Sequence, residues 1–147
     1  NNRWENIYIN PQNIPSILPL LSEIHSIAIE AFHTKLAPHQ TLVIPHELLG
    51  YEKNEFWFNS ALPGESTGAH NHNGKAIISG VYYLQVPENC GNIVFIKVNK
   101  EKLEIPAKSG KLLFFPPELD HCVQENMGSE TRISLSFNCY LFPLMEK

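Results

Sequence analysis

Apolar residues change their period once along the chain. Residues Ile17, Leu18, Leu20, Leu21, Ile24, Ile27, Ala28 and Ala31 recur mostly at three- and four-residue steps. That spacing predicts an amphipathic helix, with Pro15 and Pro19 near its start, where a missing N–H is tolerated. From about Thr41 the period falls to two, and turn residues cut the chain into short segments. The predicted strands are Thr41–Ile44, Glu55–Ala61, Ala76–Val86, Asn92–Val98, Leu103–Ile105, Lys111–Phe115, His121–Gln124 and Thr131–Phe142. Breaks fall at Pro63-Gly64, Asn73-Gly74, Pro87–Gly91, Lys108–Gly110, Pro116-Pro117 and Met127-Gly128. Short strands at this spacing predict a mainly β sandwich or small barrel. The one helix belongs on a sheet's outer face.

Two strands carry further information. Ala76–Val86 is apolar on both faces apart from Ser79, Gln85 and its tyrosines, so it is expected to be central and buried. Gly80 within it implies a close backbone approach or a bulge. In the last strand Arg132, Ser134, Ser136 and Asn138 share one face, and Ile133, Leu135, Phe137 and Cys139 share the other. Taken alone, this alternation assigns the polar face to water and the apolar face to the core. In the sharper reading the polar face lines a pocket and the apolar face lies under the helix.

Composition narrows the functional classes. The chain has 147 residues, 43% hydrophobic and 18% charged, enough for one domain with a real core. Eleven Lys+Arg against fifteen Asp+Glu give a net charge of -4 with no basic stripe, which argues against a nucleic-acid binder. The stretch Ile14 to Phe32 is too polar for a membrane span, and Asn1-Asn2-Arg3-Trp4 does not open a targeting signal. Cys90, Cys122 and Cys139 have no disulfide or metal spacing and read as free thiols of a reducing, cytoplasmic compartment. The only aspartate is Asp120, which excludes any mechanism needing an Asp elsewhere.

The candidate chemistry begins at His70-Asn71-His72. Two imidazoles at i and i+2 of an extended chain point to one side and can meet one metal ion. A chance cluster of loop histidines fits that pair equally well. His121 gains weight from following the pair across several strands, since a barrel site gathers residues distant in sequence. Arg132, one of two arginines, lies within a strand among apolar residues. Pointed inward, it would fork onto a carboxylate, and Ser134 would offer a hydroxyl to the same anion. Pointed outward, it would be an ordinary surface residue. Glu130 is the competing internal partner. His25, His33, His39 and His46 are read as surface residues, Trp57, Phe114 and Phe115 as core, and Glu65 as a solvated loop residue.

The ordered set His70-x-His72, Ser79-Gly80-Val81-Tyr82-Tyr83-Leu84, Pro106 to Phe115, His121 and Arg132-x-Ser134 resembles the Fe(II)/2-oxoglutarate-dependent oxygenases. Within them it is similar to the prolyl-hydroxylase-like branch, in particular its small bacterial and phage proteins. The resemblance covers Glu55 to about Asn138. It implies a double-stranded β-helix (jelly-roll) barrel over residues 51–147, with residues 1–50 as helical support packed on the outer sheet, in one domain of 1–147. It implies Fe(II), 2-oxoglutarate and O2, and a hydroxylation that releases succinate and CO2. His70 and His121 match the two histidine ligands. Tyr83, Arg132 and Ser134 match residues that hold 2-oxoglutarate, and Asn59 falls where relatives place a polar residue over it. The family's third ligand is usually an acid two residues after the first His; here that position holds His72, which either completes a three-histidine set, or swings away and leaves its place to water, or marks a loss of catalysis.

Two rival readings remain at this level. One is a cupin-like three-histidine dioxygenase without 2-oxoglutarate, which leaves Arg132 and Ser134 without a role. The other is a non-catalytic metal-binding jelly roll. The primary substrate and the oligomeric state are not encoded in any motif.

Overall fold

A computed structural model describes residues 6–72, 74 and 76–143. The features expected at Asn1–Trp4 and at Asn73 lie outside them. In chain order the elements are β1 (Asn6–Ile7), α1 (Ile17–Phe32), β2 (Thr41–Val43), β3 (Phe56–Ala61), β4 (Thr67–His70), β5 (Ile78–Gln85), β6 (Ile93–Ile96), β7 (Lys102–Ile105), β8 (Leu112–Phe115), β9 (Asp120–Val123) and β10 (Arg132–Phe142). The helix and every strand expected from periodicity are present, with ends shifted by up to two residues. Two strands were not anticipated, β1 and β4.

Among the described residues, one antiparallel sheet runs β1-β3-β10-β5-β8, with β2 pairing the far end of β10. The second runs β4-β9-β6-β7. The inner faces of both sheets line one cavity, which is the jelly-roll arrangement. The helix buries Ile17, Leu21, Ile24 and Ala28, at steps of four, three and four, against Leu42, Phe56, Ile78, Leu135, Phe137 and Cys139. Each large side chain so buried contributes about 1.5–3 kcal/mol relative to an exposed one. A second cluster, Val81, Tyr83, Ile93, Phe95 and Phe115, fills the space between the sheets.

Strand β10 therefore has two covered faces. Its apolar face lies under the helix, with Leu135, Phe137 and Cys139 all fully buried. Its polar face turns into the barrel: Arg132 is 4% exposed, Ser134 6% and Asn138 7%. The assignment of this face to water is thus corrected. Alternation sets which residues share a side but not what covers that side. Ser79 donates to Asn138 across the β5–β10 pair (2.7 Å), so the inner end of this face is internally satisfied.

Two more expectations need correction. His46 is buried (8% exposed) against the edge of Phe56 rather than on the surface, and burial lowers its pKa. His25 is half-buried and bonded through Nε2 to the Leu42 carbonyl, whereas His33 and His39 are exposed.

Gly80 sits where β5 crosses Phe137. A Cβ there would meet the Phe137 ring at 2.2 Å and the Leu113 carbonyl at 2.8 Å, so the close approach expected at this glycine is real. The colliding ring is itself fully buried and has nowhere to go. Gly80→Ala is expected to destabilise the fold by about 3 kcal/mol through overpacking. Urea unfolding of the variant measures this, and a midpoint equal to wild type would contradict the packing described.

Candidate metal centre and anion pocket

The cavity between the sheets has a volume of about 700 Å3. Its floor comes from the major sheet. The β3–β10 register sets Ala61 opposite Arg132, Asn59 opposite Ser134 and Trp57 opposite Ser136, so a ladder of facing pairs looks inward. On the other side of β10, Tyr83 lies opposite Ser134. Asn59 Nδ2 donates to Ser136 Oγ at 2.6 Å.

Arg132 is held by backbone. Its Nη1 donates to the Cys90 carbonyl at 2.6 Å and reaches the Gly91 carbonyl at 3.4 Å. Gly91 makes this possible, with φ at +80° and no room for a Cβ, which would meet the Gln124 carbonyl at 2.4 Å. The entry to β10 is fixed by the fully buried Asn126. Its amide donates to the carbonyls of Ala61 (2.9 Å) and Glu130 (2.8 Å), and its Oδ1 accepts from Gly128 N–H. The side chain of Glu130 is exposed at that turn. Beside the guanidinium, burial pushes the Tyr83 phenol up to about 12 although Arg132 opposes the shift. Tyr83 is therefore a neutral O–H donor at any ordinary pH.

The opposite wall carries three imidazoles. Strands β4 and β9 set His70 directly opposite His121, and their ring centroids are 4.3 Å apart. His72, just past the end of β4, has its ring 5.3 Å from His70 and 5.2 Å from His121. One ligand atom from each ring can be chosen so that all lie within 4.8 Å of one another. Nitrogens each about 2.1 Å from one ion lie within roughly 4.2 Å of each other, so small ring rotations complete the set.

The tautomers are fixed locally. His70 Nδ1 lies 2.9 Å from the Gly68 carbonyl, and His121 Nδ1 lies 2.9 Å from the Leu119 carbonyl. A carbonyl only accepts, so each Nδ1 carries the proton and each Nε2 keeps a lone pair for a metal. Two further contacts hold the corner together. His72 N–H donates to the Pro117 carbonyl (2.7 Å), and Asn71 Nδ2 donates to Asp120 (2.7 Å). The residue between the two histidines is thus tied to the residue before the third. Burial, then His121 and His70, hold the His72 pKa down at about 4, and burial also lowers that of His121.

All seven residues expected from sequence, His70, His72, His121, Tyr83, Arg132, Ser134 and Asn59, line this one cavity. Glu65 does not; its carboxylate accepts from Leu62 N–H in the preceding turn. Trp57 and Phe115, read as core, are buried but line the cavity, with rings 5.6 Å from His72 and 4.9 Å from His121. Phe114, on the other face of its strand, packs on Phe32 and Phe137 in the core. Ser136 and Trp57 were discoverable by period two, each being two residues from a site residue. Asn71, Asp120, Asn126 and Tyr8 carry no such signal.

A lowered histidine pKa sets a stability window. Between about 4 and 6.5 the unfolded chain holds a proton that folded His72 does not. Stability of the metal-free protein is therefore expected to fall as pH drops through that window. Urea midpoints at about pH 7.5 and about pH 5 should differ less in His72→Ala than in wild type. An unchanged pH dependence would remove the assignment.

The family model described as "Putative 2OG-Fe(II) oxygenase" matches residues 55–104 and 97–138, together more than half of the chain. No curated protein matches. Among solved structures, a prolyl 4-hydroxylase from Phytophthora capsici superposes with a TM-score of 0.59 at 16% identity, over 85% of this chain and 43% of that one. A 2OG-Fe(II) oxygenase family oxidoreductase from Burkholderia pseudomallei does so with a TM-score of 0.55 at 17% identity, over 64% of this chain and 48% of that one. This chain spans about half the length of such structures, and at these identities the likeness is one of fold. With the family match over residues 55–138, the chain belongs to the 2OG-Fe(II) oxygenases, whose chemistry uses Fe(II), 2-oxoglutarate and O2.

Proposed function

We propose that the protein is a 2-oxoglutarate-dependent hydroxylase in which His70, His72 and His121 hold Fe(II). Arg132, Ser134 and Tyr83 hold the far carboxylate of 2-oxoglutarate, with Asn59 beside it. The observation that carries this reading is the meeting of a three-nitrogen donor set and a buried guanidinium in one cavity. Bound there, Fe(II) with 2-oxoglutarate would supply the oxidising power: one oxygen atom of O2 enters the substrate as hydroxyl, and the other leaves in succinate, with CO2 released.

The chain's own residues have simpler tasks. Arg132 forks onto the carboxylate, and its hold on the Cys90 and Gly91 carbonyls fixes the direction of the fork. Tyr83, kept neutral, donates rather than repels. Phe115, backed by Phe95, and Val81 line the space between the two ends and limit water. His72 in place of a carboxylate leaves the donor set uncharged, so the neutralising charge must come from the co-substrate dianion.

Anaerobic titration tests the reading. A visible absorption band requiring both Fe(II) and 2-oxoglutarate is expected in the wild-type protein. Arg132→Ala should weaken 2-oxoglutarate binding by about 30-fold, the cost of truncating one partner of a buried charge pair, while leaving metal affinity within about threefold. Iron binding with no such band, or 2-oxoglutarate affinity unchanged in the variant, would overturn it.

A further inference from the structure

A second cavity of about 470 Å3 opens beside the first and shares Asn6, Tyr8, Trp57 and His72 with it. The shared wall is aromatic. The Tyr8 and Trp57 rings are 6.0 Å apart and tilted by 38°, and Trp57 in turn faces His72 at 5.6 Å. Trp57 is buried, while Tyr8 is 61% exposed, so the pair leads from the imidazole corner to solvent. Among the described residues, the outer end carries Glu47, Glu55 and one opposing cation, Lys53. Both carboxylates accept from neutral amides: Asn10 donates to Glu47 at 2.6 Å and Asn138 to Glu55 at 3.1 Å. Those bonds fix the carboxylates in place without cancelling their charge.

We infer that this groove admits the primary substrate and that the substrate is an elongated cation. Its apolar carbon chain lies on Trp57 and Tyr8, and an ammonium or guanidinium group sits outward at Glu47 and Glu55. The inference deepens the functional reading above and rests on it for which end of the groove is reactive. Its separate support is the charge arrangement. Arg132 makes the inner end of the connected cavities positive, while among the described residues two carboxylates against one ammonium make the outer end negative. That gradient orients a ligand with its cation at the mouth and its uncharged carbons at the imidazoles. The aromatic faces add to the same preference, because a ring's π face attracts a cation and accommodates an alkyl stem equally well.

The test needs neither metal nor turnover. Trp4→Phe leaves Trp57 as the single tryptophan, and its fluorescence reports occupancy of the groove in the full metal-free chain. The probes are hexylammonium, 1-hexanol and hexanoate, which share one carbon stem and differ in charge. Hexylammonium is expected to bind about tenfold tighter than hexanoate, with the margin shrinking at high salt. Glu47→Gln with Glu55→Gln should cut that preference about threefold or more. Tyr8→Ala, at an exposed side chain, should weaken all three probes. Should the double variant not fold, Glu47→Gln alone must still narrow the preference. Equal or tighter binding of hexanoate, a preference untouched by the Gln variants, or no binding of any probe overturns the inference. Such a failure leaves the iron and 2-oxoglutarate titration unaffected, and a failed titration leaves the probe binding readable.

Discussion

A guanidinium inside a barrel has to be carried by its surroundings, and burying Arg132 constrains most of the structure around it. Isolated charge burial is prohibitive, so the strand that carries Arg132 must deliver it to fixed acceptors. The carbonyls of Cys90 and Gly91 are brought there by a glycine in a left-handed conformation, and Asn126 clamps the turn that leads into the strand. Once Arg132 points inward, the two-residue period commits Ser134, Ser136 and Asn138 to the same side. Leu135, Phe137 and Cys139 are then commited outward, and a slip of one residue would exchange the two sets. The outward set needs cover, and α1 supplies it. Helix, central strand and the inward-facing guanidinium are consequences of one register.

The second sheet supplies the other half of the site by a different device. Direct cross-strand pairing sets His70 against His121, and a carbonyl two residues upstream of each holds its ring. The same i to i−2 contact on both strands means that ring orientation is set by strand backbone rather than by packing alone. Among the described residues His72 has no such anchor; its ring rests against Trp57, and its backbone is tied to Pro117. The departure from the family pattern therefore falls on the proposed ligand whose ring is held by aromatic contact, next to the groove that reaches solvent.

Much of this was legible in the sequence because the signals are local. Turn residues bounded the strands, a 3.6-residue period marked α1, and the ordered histidines, Arg132 and Tyr83 share one cavity. What was not legible is relational. Gly68-Ala69 gives β4 no alternation to detect, so His70 was placed in a loop as readily as on a strand. The polar face of β10 reads the same whether it meets water or a cavity. His46 looks like a surface histidine until Phe56 is folded over it. Trp57 and Phe115 are buried as expected, yet burial beside an imidazole differs from burial in the core, and hydrophobicity alone does not separate the two. The Asn71–Asp120 bond joins residues 49 apart and leaves no periodic trace.

Strand β4 has a cost attached to its position. Among the described residues it pairs with β9 alone and ends the smaller sheet, so its outer side presents peptide groups without a neighbouring strand. Such a rim is a template on which another polypeptide can align. An ion gripped by His70 and His121 would rivet this rim to the strand behind it. Without such an ion, the same rim would be the place from which fraying and self-association start.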